Sequence, residues 1–139
     1  MNTIRTFIIV DDDPVNNAIT RIAIKRVLGE VNTKIFTVPE EGLVFIQTEY
    51  AKIVKPTILF LDINMPTMTG WEFLEEYDKF SEEIKKQITI YILSSSVDQR
   101  DMGKATTDQR IKGFISKPVK PEVIFSVCGI SRNPDAGGL

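Results

Sequence analysis

The chain has 139 residues, of which 42% are hydrophobic and 26% charged, and its formal net charge at pH 7 is -2. That length suits one domain able to bury about two-thirds of its unfolded surface without metal or disulfide, and the composition excludes a disordered or fibrous chain. Mixed charge leaves no basic stripe for nucleic acid and no polybasic patch for a membrane, and no apolar run nears the roughly 20 residues that span a bilayer.

Thr6 to Val10 is a continuous apolar run ending in Asp11, Asp12 and Asp13, the pattern of a strand buried on both faces. Asp13 before Pro14 reads as a helix N-cap with proline in the first turn. Ile19, Ile22, Ala23 and Val27 then recur at helical spacing until Gly29. Lys34 to Val38 is a second strand, and Pro39-Glu40-Glu41 opens a helix through Leu43, Val44, Ile46, Tyr50 and Ile53 to the Lys55-Pro56 break. Thr57 to Leu61 repeats the first strand and again ends in an acid, Asp62. Asn64 to Gly70 is a loop, and Trp71 to Lys86 is one helix carrying Phe73, Leu74, Tyr77, Phe80 and Ile84. Ile88 to Leu93 is a fourth strand that runs into Ser94-Ser95-Ser96. Asp98 to about Thr107 is a weak polar helix, Ile111 to Ile115 a fifth strand, and Pro118 to about Cys128 a short last helix. Residues 1–128 form the domain, and 129–139 are expected to be a flexible polar tail.

Strands alternating with helices over short loops predict an α/β fold, a doubly wound five-stranded parallel sheet with helices on both faces. Ligand sites in such sheets form beyond the carboxyl ends of the strands, where strand order reverses. Those ends carry Asp11 and Asp12, Asp62, Ser94, and Ser116 leading into Lys117. If the strand order is 2-1-3-4-5, Asp11, Asp12 and Asp62 crowd one small volume, where either protonation or a cation relieves their repulsion, and a hard divalent ion such as Mg²⁺ matches such a site. The chain has no histidine, which removes the commonest general base, so carboxylates lead the list of reactive groups. Asp62 can be a nucleophile, the Lys117 ammonium can neutralise phosphoryl oxygens and the Ser94 hydroxyl can donate to one of them. Taken singly, each has a plainer role: Ser94 to Ser96 a turn, Lys117 a solvated lysine.

Ile8-Ile9-Val10-Asp11-Asp12-Asp13-Pro14, Leu61-Asp62-Ile63-Asn64-Met65-Pro66-Thr67-Met68-Thr69-Gly70, Ile92-Leu93-Ser94-Ser95-Ser96 and Gly113-Phe114-Ile115-Ser116-Lys117-Pro118 together resemble the receiver (CheY-like) domains of bacterial two-component response regulators. The resemblance covers about residues 5 to 128 and implies the flavodoxin-like fold with order 2-1-3-4-5. It implies Asp62 as phosphoacceptor, Asp11 and Asp12 as the acidic pair, the Asn64 backbone carbonyl as a further Mg²⁺ ligand, Ser94 as switch hydroxyl and Lys117 as the family's lysine. It also implies that Phe114 is the switch aromatic, and that Lys117-Pro118 is cis as is usual in receivers, an ordinary trans proline being the alternative. Asn64 and Ser96 fall at positions that tune hydrolysis in that family, so phosphoryl lifetime is open. Output would be read from the helix after strand four, strand five and the last helix.

The implied function is a stand-alone phosphorelay regulator, a signalling domain rather than an enzyme acting on others. Its donor would be a histidine kinase or histidine phosphotransfer protein, and its output a separate effector, since no effector domain follows. A receiver-like adaptor without phosphoryl turnover is a second reading, which retention of Asp11, Asp12, Asp62, Ser94 and Lys117 opposes. A haloacid-dehalogenase-like phosphatase would need an acid where Asn64 stands, and flavin binding is opposed by the acids after strand one. The lone Cys128 and the absence of a signal-peptide pattern fit a reducing cytoplasm.

Overall fold

In the computed structural model, which describes residues 4–52, 54–95 and 99–130, strands alternate with helices, two short helices standing between the third and fourth strands. They are β1 (Thr6–Val10), α1 (Pro14–Leu28), β2 (Asn32–Phe36), α2 (Pro39–Glu49), β3 (Thr57–Asp62), α3 (Gly70–Tyr77), α4 (Glu82–Lys85), β4 (Ile88–Ser94), α5 (Gln99–Thr107), β5 (Ile111–Ser116) and α6 (Pro121–Val127). The five strands form one parallel sheet in the order β2-β1-β3-β4-β5, as the sequence predicts.

Every residue of β1 and β3 is buried, because helices cover both faces of a parallel sheet. Side chains alternate between two cores. Ile8, Val10, Leu59, Leu61, Ile90 and Ile92 join Leu43, Ile46, Phe73, Leu74, Tyr77 and Ile84 on the face of α2, α3 and α4. Phe7, Ile9, Ile58, Phe60 and Leu93 join Ala23, Ile24 and Ile124 on the face of α1 and α6. At the amino end of β3 and β4, buried Gln87 donates to the Tyr50 and Glu83 carbonyls at 3.0 and 2.8 Å and accepts from the Lys55 N–H at 2.9 Å. Tyr50 Oη lies 2.6 Å from Thr57 Oγ1.

Several elements depart from the sequence reading, each for a local reason. β2 begins two residues early and stops at Phe36, because its pairing is matched to the five residues of β1, from Thr6 with Asn32 to Val10 with Phe36. α2 ends at Glu49, with Tyr50 closing it; Ile53 lies outside the described residues, as do Ser96 and the tail beyond residue 130. The single helix expected from Trp71 to Lys86 is two, since the Ser81 side chain accepts from the Ile84 N–H and caps a new start. α6 begins at Pro121 rather than Pro118, which follows a cis peptide at Lys117. On α1, Ile19 and Ile22 face solvent and the helix buries Asn16, Asn17, Thr20, Ala23 and Ile24 instead. That reversal concerns the site.

Candidate functional site

Strand register builds the site. Val10 pairs with Leu61, so the residues that follow, Asp11 and Asp62, emerge side by side from β1 and β3. Ser94 pairs with Ser116, and the Lys117 N–H donates to the Ser94 carbonyl at 2.8 Å, which fixes where the lysine leaves β5. From there its side chain reaches the acids at the ends of β3 and β1. Lys117 Nζ ends 2.8 Å from Asp11 Oδ2 and 3.1 Å from Asp62 Oδ1, forming both ion pairs within the protein. Asp12 completes the group: one carboxylate oxygen from each of Asp11, Asp12 and Asp62 lies within 4.8 Å of the other two.

The sequence-predicted Asp11, Asp12, Asp62 and Lys117 are therefore in one place. Ser94 is buried in the same row of strand ends. Asn64 stands exposed in the loop after β3, two residues beyond Asp62. Phe114 is half-buried on β5 and packs against the core under α2 and α3. Asp13 is the N-cap of α1, its Oδ1 accepting from the N–H groups of Val15 at 3.0 Å and Asn16 at 3.4 Å.

Gathering three carboxylates costs free energy. Burial first, then the Asp11 charge, push Asp62 up to about 6 against the pull of Lys117. Burial would lower the Lys117 ammonium, but its hydrogen bonds to Asp11 and Asp62 outweigh that and hold its pKa above the ordinary value. The ammonium thus pairs with two of the three acids. The donor set, carboxylate oxygens only and partly open at Asp12, fits a hard divalent cation that keeps some of its waters.

Two residues of the site were not foreseen. Asn16 Nδ2 donates to Asp11 Oδ2 at 3.0 Å, and Asn17 Nδ2 donates to the Asp11 carbonyl at 2.9 Å. Both amides are buried, 6% and 3% exposed, so they are no part of a solvated helix face. The available signal was an Asn pair in the first turns of a helix that follows an acid cluster. Gly70 is the other omission: a Cβ there would sit 2.7 Å from the Asp62 carbonyl oxygen. Its N–H donates to the Ile63 carbonyl at 2.7 Å, folding the loop back onto the end of β3.

The family model described as "Response regulator receiver domain" matches residues 7–128. No curated protein matches the sequence. A two-component response regulator from Cytophaga hutchinsonii superposes with TM-score 0.82 at 26% identity, covering 90% of this chain and 94% of that one. A response regulator receiver protein from Dyadobacter fermentans gives 0.78 at 24%, covering 91% and 98%. A CheY-like receiver domain protein from Methanospirillum hungatei gives 0.70 at 21%, covering 90% of each. The last two likenesses speak to fold.

Proposed function

This chain belongs to the response regulator receiver domain family, and from that premise we propose that it is a phosphorelay switch whose Asp62 accepts a phosphoryl group. The observation that carries the reading is the convergence of Asp11, Asp12, Asp62 and Lys117 at adjacent strand ends. An Asp62 oxygen attacks the phosphorus of a phosphohistidine. The P–O bond forms as the P–N bond breaks, and the imidazole nitrogen leaves with the electron pair and takes a proton from solvent. A pKa of about 6 leaves Asp62 mostly ionised at pH 7 and able to attack.

Asp11, Asp12, Asp62 and the Asn64 carbonyl would hold Mg²⁺, which when bound supplies charge neutralisation to the carboxylates and the phosphoryl oxygens. Lys117, already within 3.1 Å of Asp62, is placed to follow the transferred oxygens. Ser94, buried at the end of β4, would donate its hydroxyl to one of them and draw the β4 end inward. Phe114 would follow on β5 and alter the face made by α5, β5 and α6. A groove of ≈ 520 Å³ lined by Tyr91, Phe114, Lys117 and Val123 opens there and suits an effector.

The donor, a histidine kinase or phosphotransfer protein, must bring its imidazole over the strand ends. Ile19 and Ile22 stand exposed on α1 and line a hollow with Pro118 and Pro121, and Val15 is exposed on the same helix; such a partner would cover these apolar side chains. No described helix is long and apolar enough to cross a membrane. We place the work of residues 1–128 in the cytoplasm, where kinases of this kind deliver phosphate.

Incubation with acetyl phosphate and Mg²⁺ tests the reading. Intact-mass measurement should show one added phosphoryl group, absent without divalent metal and absent in Asp62→Asn. No added mass under any divalent metal, with the chain folded, would convert the reading to that of a phosphate-independent adaptor.

A further inference from the structure

We propose that Asn16 is a positioning residue of this site, whose side-chain amide holds the Asp11 carboxylate in the orientation that serves a cation. The inference rests on the phosphoacceptor reading above and adds to it a residue from α1. Asp11 is fully buried, and its carboxylate has three donors. The Asp13 N–H reaches Oδ1 at 3.0 Å, while Asn16 Nδ2 at 3.0 Å and Lys117 Nζ at 2.8 Å share Oδ2.

Of these donors the lysine is the least permanent, because the same Nζ serves Asp62 at 3.1 Å. A phosphoryl group on Asp62 would draw the ammonium toward its oxygens, and a buried carboxylate that loses a donor is penalised heavily. Asn16 guards against that. It is neutral, so it adds no charge to the acid cluster, and it comes from α1 rather than β5, so it stays when Lys117 moves. Capping does not explain it, since Asp13 already caps α1.

Stability alone does not explain the amide pair either. Thr20 Oγ1 donates to the Asn16 carbonyl at 3.0 Å, and Asn17 donates to the Asp11 carbonyl, so the first turns of α1 are fastened to the end of β1. Yet Asn17 Oδ1 is buried without a hydrogen-bond partner, a cost an apolar residue would avoid. Ligand-orienting partners of this kind commonly change metal affinity 10–100-fold when removed.

The test is calorimetric titration of the full chain with MgCl2, alongside melting temperatures in EDTA. Asn16→Ala and Asn16→Leu should each weaken Mg²⁺ binding about tenfold, and Asn16→Ser, which keeps a donor, should recover part of the loss. In acetyl phosphate labelling, the half-saturating Mg²⁺ concentration should rise while the rate at saturating Mg²⁺ holds. Gln87→Met is the control, because it breaks a buried amide's bonds at the far end of the sheet. It should lower the melting temperature and leave Mg²⁺ affinity unchanged. Affinity within twofold of the parent in either Asn16 truncation, an equal loss in Gln87→Met, or failure of both truncations to fold would overturn the role. A parent chain that neither binds Mg²⁺ nor takes a phosphoryl group would sink the proposed function itself, whereas a competent parent with indifferent variants sinks only Asn16.

Discussion

Gly70 shows how little room the site leaves. An added methyl would press on the Asp62 carbonyl oxygen at 2.7 Å and on Ile63 Cα at 3.1 Å, both main-chain atoms that cannot rotate away. Gly70→Ala should therefore push the start of α3 off β3, costing about 2 kcal/mol in urea unfolding, and slow phosphoryl labelling because Asp62 shifts with its backbone. An unchanged unfolding midpoint would show that the loop gives way freely. Asp13 offers the opposite case within the acid run. Asp13→Ala should cost about 1 kcal/mol as a lost cap and leave Mg²⁺ affinity as it was. Asp11, Asp12, Asp62 and Lys117 were legible in the sequence because each directly follows or closely trails a buried strand, where position alone dictates direction. Asn16 and Asn17 were not, because polar residues on a helix are ordinarily read as its wet face. Ala23 and Ile24 pack that face of α1 onto the sheet, and at its first turn the buried Asp11 takes the Asn16 amide.

Elements carried their signal unevenly for a similar reason. β1 and β3 were bounded closely by apolar runs ending in acids, whereas the limits of β2 were set by pairing with β1. On α1 Ile19 and Ile22 pointed to the wrong face while Ala23 pointed to the right one, since the helix buries Asn16, Asn17, Thr20, Ala23 and Ile24. Between α3 and α4 the apolar period was right, with Phe73, Leu74, Tyr77 and Ile84 all buried, yet the Ser81 cap broke the helix. α5 has little apolar content, and its attachment depends on contacts that no period reveals. Trp71 Nε1 on α3 donates to Asp101 Oδ1 at 3.2 Å, and Lys104 Nζ stands 5.2 Å from the Trp71 ring centre. This clasp connects the start of α3 to α5, the next helix in the chain after β4. Asp101→Ala should cost about 1 kcal/mol and change the emission of Trp71, the chain's only tryptophan. Emission that stays the same in the variant would mean the clasp is not closed in solution.

Across the whole molecule, the order β2-β1-β3-β4-β5 makes β1 and β3 neighbours, so global stability and the acid cluster are coupled. Folding brings Asp62 to about 6, whereas in the unfolded chain an aspartate titrates near 4. Between those values the folded chain keeps a proton that the unfolded chain has released, so stability falls as pH rises through this window. A gap of about two units corresponds to roughly 3 kcal/mol. Asp62→Asn removes the titration and keeps the shape. In urea unfolding with EDTA, the advantage of Asp62→Asn over the parent should therefore grow between about pH 4 and pH 6.5 by about 2–3 kcal/mol and level off above pH 7. Mg²⁺ should stabilise the parent increasingly over the same interval, because only the ionised cluster attracts it, and should do much less for the variant. A parent that instead gains on Asp62→Asn as pH rises would mean that Lys117 outweighs burial and the acid neighbours, and that the folded cluster needs no cation to stay ionised.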